Sequence, residues 1–172
     1  MCLGLLASCS STPPAPPPPV QKPIVTAPPV VKTVVPAVPA DWQDRAASAG
    51  DWTYRQDGKG SIALFGQSGA DARFAIRCDG QAKRIYLTHP GQFPAGESGK
   101  MTVRASTSMK TFDAANTGGS PALVGVTLDP REPQLDAIAF SRGTFLVSIK
   151  GTADLILPAW PEVARVVEDC RA

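Results

Sequence analysis

Histidine is nearly missing: His89 is the only one in 172 residues. A zinc site needs three or four ligands, mostly His and Cys, and histidine is the commonest catalytic base. The chain has four cysteines, Cys2, Cys9, Cys78 and Cys170. With one histidine and no third spare thiol, no metal or other cofactor is expected. His89 precedes Pro90-Gly91 at the end of a strand pattern, which suits a loop residue better than a base. No run approaches the 18 apolar residues of a membrane-spanning helix. Charge of one sign is lacking too. Region 41–172 holds all 15 acidic residues and matches them with 15 of the 17 Lys and Arg. A nucleic-acid footprint or a polybasic membrane patch wants a strong basic excess, so neither partner is expected. P-loop, dinucleotide-glycine and EF-hand spacings are absent. No serine stands in G-x-S-x-G or S-x-x-K. The balance favours a protein that is not an enzyme.

What the chain does have is proline, and most of it early. Eleven of the 18 prolines fall between residues 13 and 39. Proline fixes φ and removes a donor, so helix and sheet are both disfavoured there. Residues 9–40 are read as a disordered, partly polyproline II tether that would reach about 90 Å if fully extended. Pro13-Pro14-Ala15-Pro16 also reads as a P-x-x-P ligand for a proline-binding groove. In composition, though not in Lys-Pro or Glu-Pro blocks, the stretch resembles the periplasmic spans of energy-transducing envelope proteins.

Ahead of the prolines stands MCLGLLASCSS. An apolar stretch ending in small residues is the close of a secretion signal. Leu6-Ala7-Ser8-Cys9 resembles the lipobox of bacterial lipoproteins. That resemblance implies cleavage before Cys9, acylation of its thiol and its new amino group, and residues 1–8 as the remnant of a signal peptide. No Lys or Arg precedes Lys22 and the apolar run is short, so the true start is expected upstream of Met1. The anchor would then be lipid, which holds firmly when several chains share one cysteine. Ser10 is not the Asp of the inner-membrane retention rule, so the resemblance implies a periplasm-facing protein of the cell envelope, in the outer membrane.

Residues 41–172 are long enough for one modest core. Phe74, Ile76 and Cys78 alternate with polar neighbours, and Arg84 to Thr88 alternates again after Asp79-Gly80, which predicts a hairpin with a tight turn. Asp51–Arg55 and Ser61–Phe65 flank Gly58-Lys59-Gly60 and predict another. Residues 101–106, 122–128, 144–149 and 154–157 complete the strands. Pro133 suits a first helical turn, with Leu135, Ile138 and Ala139 on one face and Gly143 as the stop. Asp129 and Glu132 read as the acidic start of that helix. Glu162, Glu168 and Asp169 read as solvated surface on a last helix from Pro161. Its Val163, Val166, Val167 and Cys170 form one apolar stripe. The expected fold is mainly β: a small antiparallel sandwich or barrel-like domain with two short helices, the second C-terminal and docked on the sheet.

Once Cys9 is assigned to lipid and Cys2 to the signal, Cys78 and Cys170 remain. Both lie on inward faces, and an exported domain meets an oxidising compartment. A Cys78–Cys170 disulfide is therefore expected; the alternative is two separate buried thiols. Trp52, Tyr86, His89 and Trp160 form the candidate binding surface, a small hydrophobic groove for a peptide, glycan or lipid. Core and rim packing is the plainer role for these aromatics.

The block Leu135 to Gly143, then Phe145 to Ile149, then Leu155 to Val167 ending in Glu168-Asp169-Cys170-Arg171, is similar to uncharacterised envelope lipoproteins of alphaproteobacteria, especially sphingomonads. The order of helix, glycine, strands and helix with paired cysteines also distantly resembles the invasion-associated locus B family of periplasmic β-sandwich proteins. The expected function is a tethered envelope lipoprotein, a binding or structural module with an envelope protein or peptidoglycan as partner. The alternative is an envelope hydrolase, or an inhibitor of one, with its active surface near His89 or Trp160.

Overall fold

The computed structural model describes residues 41–172. Cys2, Cys9 and the proline-rich stretch lie outside the described residues. After a 3-10 turn, Trp42–Asp44, come four strands in sequence: β1 (Asp51–Asp57), β2 (Gly60–Gly66), β3 (Phe74–Asp79) and β4 (Arg84–Pro90). Then follow β5 (Gly99–Arg104), β6 (Met109–Asn116), β7 (Leu123–Leu128), α1 (Pro133–Ala139), β8 (Thr144–Ile149), β9 (Leu155–Pro158) and α2 (Pro161–Arg171). All nine strands join one antiparallel sheet, in the order β1-β2-β3-β4-β7-β6-β5-β8-β9, which curls into a half-barrel. The expected mainly β fold with a docked C-terminal helix is what forms.

Alternation decides which side chains turn inward. Trp52, Phe65, Phe74, Ile76, Ile85, Leu87, Met101, Val103, Phe145 and Leu157 are buried on the concave face. Trp52 ties together strands from the two ends of the sheet. Its ring lies 5.4 Å from that of Phe65 on β2 and 6.4 Å from that of Phe145 on β8. Its Nε1–H donates to the Pro158 carbonyl on β9 at 2.8 Å. The outer edge of β9 is covered as well: Ser48 donates its N–H to Ile156 O, and its hydroxyl accepts from Ile156 N–H. Covering an edge in this way blunts strand-to-strand aggregation.

α2 lays its stripe of Val163, Val166, Val167 and Cys170, all buried, against β1 to β4. Burying a valine side chain contributes about 1.5–3 kcal/mol, so this face alone favours docking. Cys170 is bonded to Cys78 on β3, with the two Cα atoms 5.3 Å apart. Tyr54 on β1 donates its hydroxyl to Asp169 at 2.6 Å, so Asp169 is engaged rather than simply solvated. Arg171 donates to Pro130 O and to Asp136, joining α2 to the β7–α1 loop and to α1. Glu132 caps α1 as expected, accepting from Gln134 N–H, and also holds Lys110 at 2.7 Å.

Three details depart from the sequence reading. The β3–β4 connection is not a two-residue turn. Asp79 pairs with Arg84 across residues 80–83, Asp79 Oδ1 accepts the N–H groups of Gln81 and Ala82, and Lys83 closes the turn at φ 51°. That left-handed backbone costs a lysine roughly 1–2 kcal/mol, which the two backbone N–H bonds accepted by Asp79 help to offset. The second departure is α1, which ends at Ala139; Gly143, at φ 78°, instead opens β8. The third is β6, which carried no strand signal. In Met109–Asn116 only Ala114 is buried and five of the eight residues are exposed, so there is little apolar alternation to see.

Candidate functional site

The convex face of the sheet should be polar, yet part of it is not. Residues on the outward period of β2, β3, β4 and β7 line up by register: Leu64 opposite Ala75, Ala75 opposite Thr88, Arg77 opposite Tyr86, Pro90 opposite Leu123. They form an open apolar groove of about 460 Å³. Small side chains, Ala75 and Thr88, lie along the middle strands, while Ile62 and Leu64 stand on one side and Tyr86 and Leu123 on the other. Pro121, in the β6–β7 loop, and Ala72, in the β2–β3 loop, close the ends. The loop carrying Pro121 is held by Gly91 N–H donating to Ala122 O and by Thr117 N–H donating to Leu123 O.

Few charges reach the groove. Arg77 is one, and its Nη2 donates to both carboxylate oxygens of Asp57 at 2.9 Å. The Lys59 backbone N–H and then the Arg77 guanidinium hold the Asp57 carboxyl below the usual carboxylate range. Arg77 is thereby neutralised at the groove's end and adds to its floor through its aliphatic stem. Asp71 also lines the groove, and the other polar groups facing it are the Tyr86 and Thr88 hydroxyls, the Thr117 hydroxyl donating to Leu123 O.

The four residues expected to make a binding surface do not come together. Tyr86 lines the groove. Trp52 belongs to the core, 6% exposed, because it occupies the inward period of β1. His89 stands three residues from Tyr86 on the same strand, an odd spacing that puts it on the opposite face, paired in register with Val124. Its Nδ1 is buried with no hydrogen-bond partner. Burial pushes its pKa below the ordinary imidazole value. No hydroxyl or carboxylate orients that nitrogen as a base in a catalytic pair would require. Trp160 is the residue before α2 and is 41% exposed, away from the groove lining.

The residues that build the groove, Ile62, Leu64, Ala75 and Leu123, carried a signal in the sequence that the alternation argument passed over. Ile62-Ala63-Leu64-Phe65 and Phe74-Ala75-Ile76 are apolar without interruption. Continuous apolar runs belong to strands covered on both faces. Here the second face is left open. Among the described residues no group of three or more His, Cys, Asp and Glu is placed to hold a metal ion. No helix among them is long and apolar enough to cross a membrane. Comparison with protein-family models, with curated proteins and with solved structures finds no match for this chain.

Proposed function

We propose that this chain is an envelope lipoprotein that works as a non-catalytic binding module. Acylated Cys9 anchors it in the outer membrane, the 9–40 segment spaces it from the bilayer, and the domain 41–172 engages an apolar segment of an envelope protein. The observation that carries the binding role is the groove across β2, β3, β4 and β7. Its volume of about 460 Å³ falls in the range of ligand sites, which are mostly apolar with a few placed polar groups. A glycan would ask for many more hydrogen-bonding partners than two free hydroxyls and one carboxylate, so apolar peptide side chains suit the lining better. Export is supported by the Cys78–Cys170 disulfide, since such bonds persist in oxidising compartments.

The test is a photo-crosslinking amino acid placed at Leu123 in cells, with Glu168 on the exposed side of α2 as the control position. A single adduct of defined mass with an envelope protein is expected from Leu123 and not from Glu168. Leu64→Glu should abolish it without lowering the melting temperature by more than a few degrees. Equal adducts from both positions, or none from either, would refute the reading.

A further inference from the structure

The domain carries no net charge, but its cations are not evenly spread. Lys83 and Arg84 from the β3–β4 turn, Arg131 from the β7–α1 loop and Arg171 from the end of α2 face one cleft of about 360 Å³. We propose that this cleft binds a phosphoryl anion, a site separate from the apolar groove and independent of it.

Three segments far apart in sequence supply the four cations, and each segment is pinned. The β3–β4 turn is held by Asp79 Oδ1, which accepts two backbone N–H groups. The β7–α1 loop is held by Asp129 Oδ1, which accepts Arg131 N–H at 2.8 Å. Arg171 follows Cys170, whose bond to Cys78 fixes the end of α2 against β3, and Cys170 itself walls the cleft. Arg171 is fixed further through Nε to Pro130 O and through Nη1 to Asp136, which leaves the Nη2 edge for a ligand. Ordered elements hold a binding geometry better than mobile surface side chains do.

The charge count favours an anion. Asp129 stands 3.5 Å from Arg84, and Asp136 engages Arg171 from outside the cleft. Lys83 and Arg131 have no ion-pair partner among the described residues. One lysine and three guanidinium groups thus meet two carboxylates, those of Asp129 and Asp136. Guanidinium forks match the tetrahedral oxygens of phosphate and bind it through paired charge-assisted hydrogen bonds. Lysine adds a compact point charge. The source of the phosphoryl group is a soluble phosphate ester or the headgroup of an anionic lipid, and the two are separable by experiment.

The full chain carrying Cys9→Ser is used, so that no acyl group binds vesicles on its own account. Sodium pyrophosphate is titrated calorimetrically, and flotation is measured with phosphatidylglycerol vesicles against phosphatidylcholine vesicles. Two double variants are compared: Lys83→Gln with Arg131→Gln in the cleft, and Arg142→Gln with Lys150→Gln outside it. Saturable pyrophosphate binding, weakened about tenfold or more in the cleft variant and unchanged in the other, supports the site with a soluble ligand. The same pattern in flotation with phosphatidylglycerol, without pyrophosphate binding, supports it with a lipid headgroup. Binding of neither probe, binding that the cleft variant leaves intact, or equal weakening by both variants would overturn it.

Discussion

The disulfide should dominate the stability of the domain, and its contribution follows from where it sits. Cys78 and Cys170 are 92 residues apart in sequence. Closing a loop of that length in the unfolded chain removes entropy worth about 4.6 kcal/mol at 25 °C in the chain-entropy treatment. A domain of 132 residues (41–172) unfolds with an entropy of about 2.1 cal/mol/K per residue. The double variant Cys78→Ala with Cys170→Ala should therefore melt about 17 °C below the parent. Both cysteines are 1% exposed, so the small cavities left behind push in the same direction. The helix should not detach, because Val163, Val166 and Val167 remain buried. It should fray instead at Arg171, and protease should trim the C-terminus sooner. The assay is thermal unfolding of oxidised parent, reduced parent and double variant at one protein concentration. Reduction should lower the parent to near the variant and leave the variant where it was. A variant that melts within about 3 °C of the oxidised parent would refute the argument, as would free thiols titrated in the native exported protein.

Two further outcomes follow from particular residues. The burial that lowers the His89 pKa makes the unfolded state the better proton acceptor. Its contribution to stability is full above the usual imidazole value near 6.5, and it is lost as pH falls from there through the lower folded-state value. Melting temperature between pH 8 and 5 should decline less steeply in His89→Gln than in the parent; identical slopes would count against it. For the anchor, Cys9→Ser in a chain with its complete signal should abolish acyl labelling and leave the protein unprocessed or soluble. Equal labelling of variant and parent, or recovery of the parent in the inner membrane, would contradict the proposed attachment.

Much of the fold can be read from period-two patterns, since a strand with one covered face must alternate. Phe74, Ile76 and Cys78 point inward as their spacing demands, and the stripe on α2 meets them. β6 was illegible because its inward positions, Lys110, Phe112, Ala114 and Asn116, mix polar with apolar residues while Met109 and Ala115 stand on the exposed face. The β3–β4 turn was misread because Asp79-Gly80 has the composition of a two-residue turn, whereas the Asp79 side chain organises a longer one.

By itself, then, the sequence determined that residues 41–172 make a β-rich domain with a docked terminal helix, and that Cys78 and Cys170 share its interior. Both follow from local periodicity and from the small number of cysteines. Only the tertiary structure decided where binding could happen. Strand order brings β7 beside β4 and so sets Leu123 opposite Pro90, residues 33 apart that no local pattern links. The same assembly of strands and α2 collects Lys83, Arg84, Arg131 and Arg171, from three segments far apart in sequence, around one cleft. Hydrophobic period tells which face a side chain takes; it carries no information about which distant strand or turn will stand beside it.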